Sequence, residues 1–230
     1  MISDPINERL LPLFGEEGLK ELSHSKVVVF GLGGVGGTAF EALVRSGVSP
    51  LIGVDFDIVE ASNLNRQLLF TYEDIGKKKA DIALKRAKAI RPNGDFQTFD
   101  LKVDEDILNS PLFLDAAIWI DAVDDIKAKI ALIEMSKKHN IPLYVSLGMG
   151  NRCDPAKVFA TTLDKSYGDP LAKTLRKKLR DKNISLKSIN VVLSKELPRI
   201  RSSVVSSSMM VPSEAGLVLA SLAIRNLLKW

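Results

Sequence analysis

The chain has 230 residues, with 32 Lys/Arg against 28 Asp/Glu and nearly half of its residues apolar. That length and apolar content support one large α/β domain, or a domain with an appendage, around a sizeable core. Cys153 is the only cysteine, which excludes an internal disulfide and a four-cysteine structural zinc site and fits a reducing cytoplasm. No basic-then-apolar leader opens the sequence, and its longest apolar stretch, Ala215 to Ile224, is too short to span a bilayer, so no membrane role is expected.

Charge is unevenly distributed. Residues 151–230 hold 15 Lys/Arg and 6 Asp/Glu, or +9, and the remainder carries −5. A basic last third points to a polyanionic partner on that side, with a merely solvated lysine-rich face as the alternative.

In chain order, Asp4 to Leu22 reads as a broken helix, interrupted by Pro12, Gly15 and Gly18. Its apolar set (Leu10, Leu11, Leu13, Phe14, Leu19, Leu22) suits a packed N-terminal arm. Val27 to Phe30 is a short apolar run, expected of a buried parallel strand. Gly31, Gly33 and Gly36 follow in the G-x-G-x-x-G spacing, and Thr38 to Ser46 continues with helical periodicity. Strand, glycine turn and helix together form a phosphate cradle: Gly31 for the turn, Gly33 for approach of backbone to phosphate, Gly36 for close packing of helix on strand. A second strand, Leu51 to Val54, ends at Asp55, where a carboxylate meets ribose hydroxyls.

A helix is expected from Gly76–Lys79 to Ile90, a strand at Phe96–Leu101 and a short helix at Glu105–Asn109. A buried strand at Ala117–Ile120 leads into Asp121-Ala-Val-Asp124. Helix Ile126–Lys138 and strand Pro142–Ser146 follow. This alternation predicts an α/β, Rossmann-like, doubly wound and mostly parallel sheet. Beyond Gly150 the character changes to a C-terminal α+β extension. It has strands at Lys157–Thr162 and Val191–Ser194 and a basic helix from Asp169-Pro170 to about Lys182. A loop is expected at 198–208, and a last apolar helix starts at Pro212 or Ser213. The expected organisation is an N-terminal helical arm (1–25), a nucleotide-binding core (26–150) and a basic substrate-binding extension (151–230).

A plain dinucleotide site needs the glycine loop and the ribose carboxylate. It does not need Asn63, Arg66 and Lys79 after the second strand. Two cations, an amide and a later strand-end carboxylate suit a triphosphate. Arg66 and Lys79 neutralise phosphates, and Asp124 holds Mg²⁺ through waters. Adenylation fits this set, because a carboxylate attacking the α-phosphorus needs no side-chain nucleophile.

Four stretches act as a set: Gly31-Leu-Gly-Gly-Val-Gly, Asp55-Phe-Asp-Ile-Val-Glu-Ala-Ser-Asn63-Leu-Asn-Arg66-Gln67, Gly76-Lys-Lys-Lys79 and Asp121-Ala-Val-Asp124. In these the chain resembles the E1-like superfamily of ThiF, MoeB and HesA, the ATP-dependent adenylating enzymes. The resemblance implies an ATP and Mg²⁺ site built from Gly31, Gly33, Gly34, Gly36, Asp55, Asp57, Asn63, Arg66, Gln67, Lys79 and Asp124. In it Asp55 is at the ribose, Asn63, Arg66 and Lys79 are at the phosphates, and Asp124 is at the metal. It also implies a homodimer in which an N-terminal arginine enters the partner subunit's site; Arg9 is the candidate, although the usual Arg-Tyr-x-Arg-Gln run is missing.

Three later stretches, Gly148 to Pro155, Tyr167 to Arg176 and Val191 to Pro198, resemble the tRNA threonylcarbamoyladenosine dehydratase branch. That branch activates the side-chain carboxylate of a modified tRNA adenosine and closes it into a ring. The basic residues Arg176, Lys177, Lys178 and Arg180 then become candidates for tRNA phosphate contacts around the anticodon loop. A sulfur-transfer (cysteine desulfurase) partner belongs to the same set of expectations. Cys153 reads as a small packing residue rather than a nucleophile. Competing readings are an adenylyltransferase for a ubiquitin-like sulfur carrier, a nicotinamide dehydrogenase, and an E1-like scaffold without turnover.

Overall fold

A computed structural model describes residues 4–198 and 205–230. Seven strands form one sheet: β1 (Val27–Phe30), β2 (Leu51–Val54), β3 (Phe96–Phe99), β4 (Ile118–Asp121), β5 (Leu143–Ser146), β6 (Val158–Thr162) and β7 (Asn190–Ser194). Their order is β3-β2-β1-β4-β5-β7-β6. All neighbours pair in parallel except β6, which runs antiparallel to β7 at the edge. The order reverses between β1 and β4, and a doubly wound sheet opens its binding crevice at that point, outside the strands' C-terminal ends.

Helices cover both faces: α1 (Leu11–Leu22), α2 (Gly34–Ser46), α3 (Lys79–Ile90), the short α4 (Glu105–Leu108) and α5 (Pro111–Leu114), α6 (Ile126–His139), α7 (Pro170–Asp181) and α8 (Met210–Leu227). The alternation of side chains across a strand divides the core. Val27 and Val29 face one apolar cluster with residues of α2, α3 and α8. Val28, Phe30 and Trp119 face the other, with residues of α6 and α7. Burial on both faces explains why the central strands read as unbroken apolar runs rather than alternating ones.

Two element starts differ from the sequence expectation. Helix α2 begins at Gly34, not Thr38, because glycines carry no apolar periodicity by which a helix is recognised. Helix α8 begins at Met210, before Pro212; a proline in the first turn lacks only an N–H that has no intrahelical partner there. Strand ends move by one or two residues, as at β3 and β4. The arm breaks into a 3₁₀ turn (Pro5–Asn7) and α1, whose Gly15 has φ 70°. It docks through Phe14, whose ring lies 5.8 Å from that of Trp230. Residues 151–230 extend the same sheet through β7 and β6 and cover the first face with α8. Residues 199–204 of the expected loop, with Arg199 and Arg201, lie outside the described residues.

Candidate functional site

A cavity of about 680 Å³ opens over the C-terminal ends of β1, β2, β4 and β5. Its size is that of a small-molecule site. Its floor is the glycine loop. Gly31 (φ 86°) passes so close to β4 that a Cβ there would lie 2.7 Å from the carbonyl oxygen of Ala122. Gly36 packs beneath, where a Cβ would lie 1.8 Å from the carbonyl oxygen of Gly31. Gly31, Gly33 and Gly34 line the cavity, whereas Gly36 shapes it from behind. The N-cap of α2, Gly33, offers no side-chain acceptor, so the helix's first N–H groups remain available to an anion.

Asp55 ends β2 and is buried. Its carboxylate accepts the N–H of Leu32 at 2.6 Å and that of Asp57 at 2.9 Å, tying the glycine loop to the second strand. Burial pushes its pKa up; the charge of Lys79 and the two backbone donors oppose the rise. Lys79, the first residue of α3, is buried at the cavity wall, and its Nζ donates to Asp57 Oδ2 at 2.8 Å.

Asn63 lines the cavity, but its Oδ1 accepts the Glu60 N–H at 3.1 Å in a capping box, so the side chain also builds the 3₁₀ turn Ala61–Asn63. Half-buried Arg66 directs Nη1 to the carbonyl of Ser62 (2.8 Å) and to Asn65 Oδ1 (2.9 Å). Buried Gln67 Oε1 has no hydrogen-bond partner among the described residues. A buried acceptor without a donor at the cavity wall fits a ligand that brings one. Asp124 lines the cavity with an exposed carboxylate. No cluster of three or more His, Cys, Asp or Glu able to hold a metal occurs among the described residues.

The structure gathers most of the expected nucleotide set, but not Arg9, which is exposed on the arm and outside the cavity lining. Of the basic residues on α7, Lys177, Lys178 and Arg180 are exposed. Arg176 differs: its Nη1 donates to the backbone oxygen of Ser166 at 2.6 Å and also to that residue's hydroxyl, a tie that closes the turn before α7. Cys153 hydrogen-bonds through its N–H to Glu196 Oε2 at 2.9 Å.

Several residues escaped the sequence reading. Phe56, Leu101, Val103, Val123 and Ala128 give the cavity an apolar lining. Leu101 and Val103 sit just past β3, as Asp55 sits just past β2, and that placement was the available signal. Ser146, Gly148, Gly150, Val205, Ser207 and Pro212 line it as well. Asp121 is fully buried beneath the cavity and pairs with fully buried Lys129 at 2.9 Å. Lys129 also donates to the carbonyl of Ser146 at 2.7 Å. Burial raises the Asp121 pKa, against the charge of Lys129. Losing either partner would strand a buried charge, so this pair braces the β4 and β5 ends.

Residues 7–230 match the model of the ThiF family. The chain is 35% identical over 233 residues to the tRNA threonylcarbamoyladenosine dehydratase of Bacillus subtilis, covering 94% of this chain and 91% of that protein. The crystal structures of the E. coli tRNA N6-threonylcarbamoyladenosine dehydratase are similar throughout. Its AMP complex has a TM-score of 0.93 at 29% identity, over 100% of this chain and 98% of that one. Its ATP complex has a TM-score of 0.92 at 30% identity, over 100% and 97%. Similarity to the B. subtilis sulfur carrier protein ThiS adenylyltransferase is 33% over 147 residues, covering 63% of this chain and 43% of that protein. Family model, relatives and solved structures agree, and the chain belongs to the ThiF family, in its tRNA threonylcarbamoyladenosine dehydratase branch.

Proposed function

We propose that this chain uses ATP to adenylate the side-chain carboxylate of threonylcarbamoyladenosine in tRNA and then promotes its closure to the cyclic form. The observation that carries this reading is the joining, in one cavity of about 680 Å³, of an uncapped helix N-terminus, two cations and strand-end carboxylates. Similarity to the dehydratases over nearly the whole chain, against partial similarity to the sulfur-carrier enzyme, favours tRNA over a ubiquitin-like protein as acceptor.

The apolar lining at Leu101, Val103 and Val123 takes the adenine. Asp55 faces the ribose, with its orientation set by the Leu32 and Asp57 N–H groups. The first N–H groups of α2 hold phosphate oxygens, and Asn63, Arg66 and Lys79 neutralise the charge that develops on departing pyrophosphate. Mg²⁺ brought in with the triphosphate would be held on the protein side by Asp124 and would supply charge neutralisation at the phosphates. The acceptor carboxylate reaches the α-phosphorus from the side of Ser146–Gly150. Ring closure then expels AMP, so the net change in the tRNA is loss of one water.

Arg9 fits a role in trans, reaching the site of a second subunit in a homodimer, since it lies outside its own cavity. A sulfur-transfer partner is not needed for the balance of this reaction. No helix among the described residues is long and apolar enough to cross a membrane, and we place the protein in the cytoplasm with its tRNA substrate. The test is mass spectrometry of nucleosides from tRNA incubated with the protein and Mg-ATP. The expected product is lighter by one water and appears with AMP and pyrophosphate. Pyrophosphate exchange stimulated by a ubiquitin-like carrier ending in Gly-Gly, and not by tRNA, would instead establish the sulfur-carrier reading.

A further inference from the structure

Beside the Gly148–Gly150 wall of the cavity, the edge of the sheet carries Tyr167 and Leu197, which the core does not use, next to Phe159, which is half-buried against the core. Tyr167 is 50% exposed and Leu197 67% exposed. The Tyr167 ring lies 6.3 Å from that of Phe159, tilted by 40°. The ammonium of Lys195 sits 4.9 Å from the centroid of the Phe159 ring. Leu197 borders the same surface, its Cδ2 3.2 Å from where a Cβ on Gly168 would stand.

These residues are held to the cavity by a buried polar network. Arg152 donates to the carbonyl of Glu196 (2.8 Å), to the carbonyls of Gly148 (2.7 Å) and Gly150 (3.1 Å), and to Asp169 Oδ2 (3.3 Å). Gly148 and Gly150 are cavity wall; Glu196 lies between Lys195 and Leu197; Asp169 is two residues from Tyr167. The Lys195 N–H also donates to the carbonyl of Lys157 at 2.9 Å, fixing it to the edge strand. The exposed Tyr167 ring therefore has a set position relative to the cavity wall.

Exposed aromatic faces flanked by a cation are the chemistry that takes unpaired nucleobases: the ring stacks, and the cation serves the backbone. An acidic or apolar protein partner would not call for a ring pair with an ammonium over it. The +9 charge of residues 151–230 favours a polyanion. We infer that Tyr167, backed by half-buried Phe159 and with Lys195 and Leu197 beside it, forms a stacking platform for an unpaired base of the tRNA loop that flanks the reacting adenosine. The inference rests on tRNA being the acceptor. It adds a positioning element, distinct from the charges of α7, that sets which loops present their adenosine to the cavity.

The experiment uses the full chain and an anticodon stem-loop RNA bearing the threonylcarbamoyl group, with 2-aminopurine replacing a base next to the modified adenosine. Binding to the wild-type protein is expected to quench the fluorophore. Tyr167→Ala is expected to remove the quench and raise KM for the RNA about ten- to hundredfold, as loss of one stacked base does. KM for ATP and Tm should stay at wild-type values, and Tyr167→Phe should restore RNA binding. Lys195→Ala should weaken binding most at low salt. If the wild-type protein forms product but Tyr167→Ala leaves quench and KM unchanged, the platform is wrong while the proposed function stands. If the wild-type protein neither binds nor converts this RNA, both fall.

Discussion

Replacing Lys79 with Met removes an ammonium and keeps most of the side chain's volume. The Lys79 side chain is 6% exposed, and its partner Asp57 is 49% exposed, with 2.8 Å between them. Water can take the place of the ammonium at Asp57, so folding should lose at most ~1 kcal/mol, the range of surface ion pairs. For a chain of this size that is about 2–4 °C in Tm. Catalysis should lose more. A buried cation donating to a phosphate oxygen contributes ~1.5–3 kcal/mol, rising to ~4 where charge builds on a leaving group. The expected fall in kcat/KM is therefore about ten- to a thousandfold. A second effect concerns Asp55, whose pKa is pushed up by burial and held back by the charge of Lys79. Without that charge the Asp55 carboxyl rises further above its ordinary value and protonates at higher pH, so the acid limb of the pH–rate profile should move upward. The assay is AMP release in the presence of tRNA, followed across the acidic range, with Tm measured on the same samples. Lys79→Arg should recover part of the activity. A Lys79→Met enzyme within about threefold of wild type, under 1 kcal/mol, would refute the placement of this cation at the phosphates.

Asp124→Asn should lower Mg-ATP-dependent turnover by about a hundredfold or more without moving Tm, since the carboxylate is exposed on the cavity; wild-type turnover across a Mg²⁺ titration would remove the metal assignment. Gly36→Ala places a methyl group 1.8 Å from the Gly31 carbonyl oxygen, so ATP affinity by calorimetry should fall and stability should drop by ~1–3 kcal/mol. Unchanged values for both would mean that the loop yields. Removing Lys177, Lys178 and Arg180 together should flatten the plot of log K for tRNA against log salt by about 2 units. Arg176→Ala should instead cost ~1 kcal/mol of stability through its lost bonds to Ser166; the reverse pattern would exchange their roles. Glu41 is buried, which raises its pKa, but bonds to Arg86 and Arg45 outweigh this and set it below the ordinary value. Its contribution is thus present above the unfolded-state pKa and lost as pH falls through the folded one. Glu41→Gln should lower Tm near neutral pH, and the gap to wild type should close on acidification; a gap that widens with acid would reverse the sign of this argument.

Much of the glycine-loop side of the cavity was legible because it is built from contiguous stretches. Val27 to Phe30 followed by three spaced glycines can form little else than a strand and an anion cradle, and Asp55 lies one residue past the next strand. Asn63, Arg66 and Gln67 share a single short-turned segment. The apolar lining was less legible, because Leu101 and Val103 resemble ordinary core residues until their height above the sheet is known. Arg176 shows the opposite difficulty. It sits in the middle of a basic run, yet its guanidinium closes a turn ten residues away, which charge counting does not distinguish from a solvent-facing arginine.

By itself, the sequence determined the strand and helix alternation, the doubly wound sheet and the place of the glycine loop, though not the short α5. These follow from local backbone preference and from apolar runs that need burial on two faces. The tertiary structure decided which charges are structural. Asp121 and Asp124 are three residues apart at the same strand end, yet one is sealed against Lys129 and the other opens on the cavity. It also joined Tyr167, Phe159 and Lys195 into one surface, tied through Arg152 to the cavity wall at Gly148 and Gly150. The physical reason is common to both cases. A side chain's partner, its dielectric surroundings and its distance from a cavity are set by packing between segments far apart in the chain, and no local pattern carries that information.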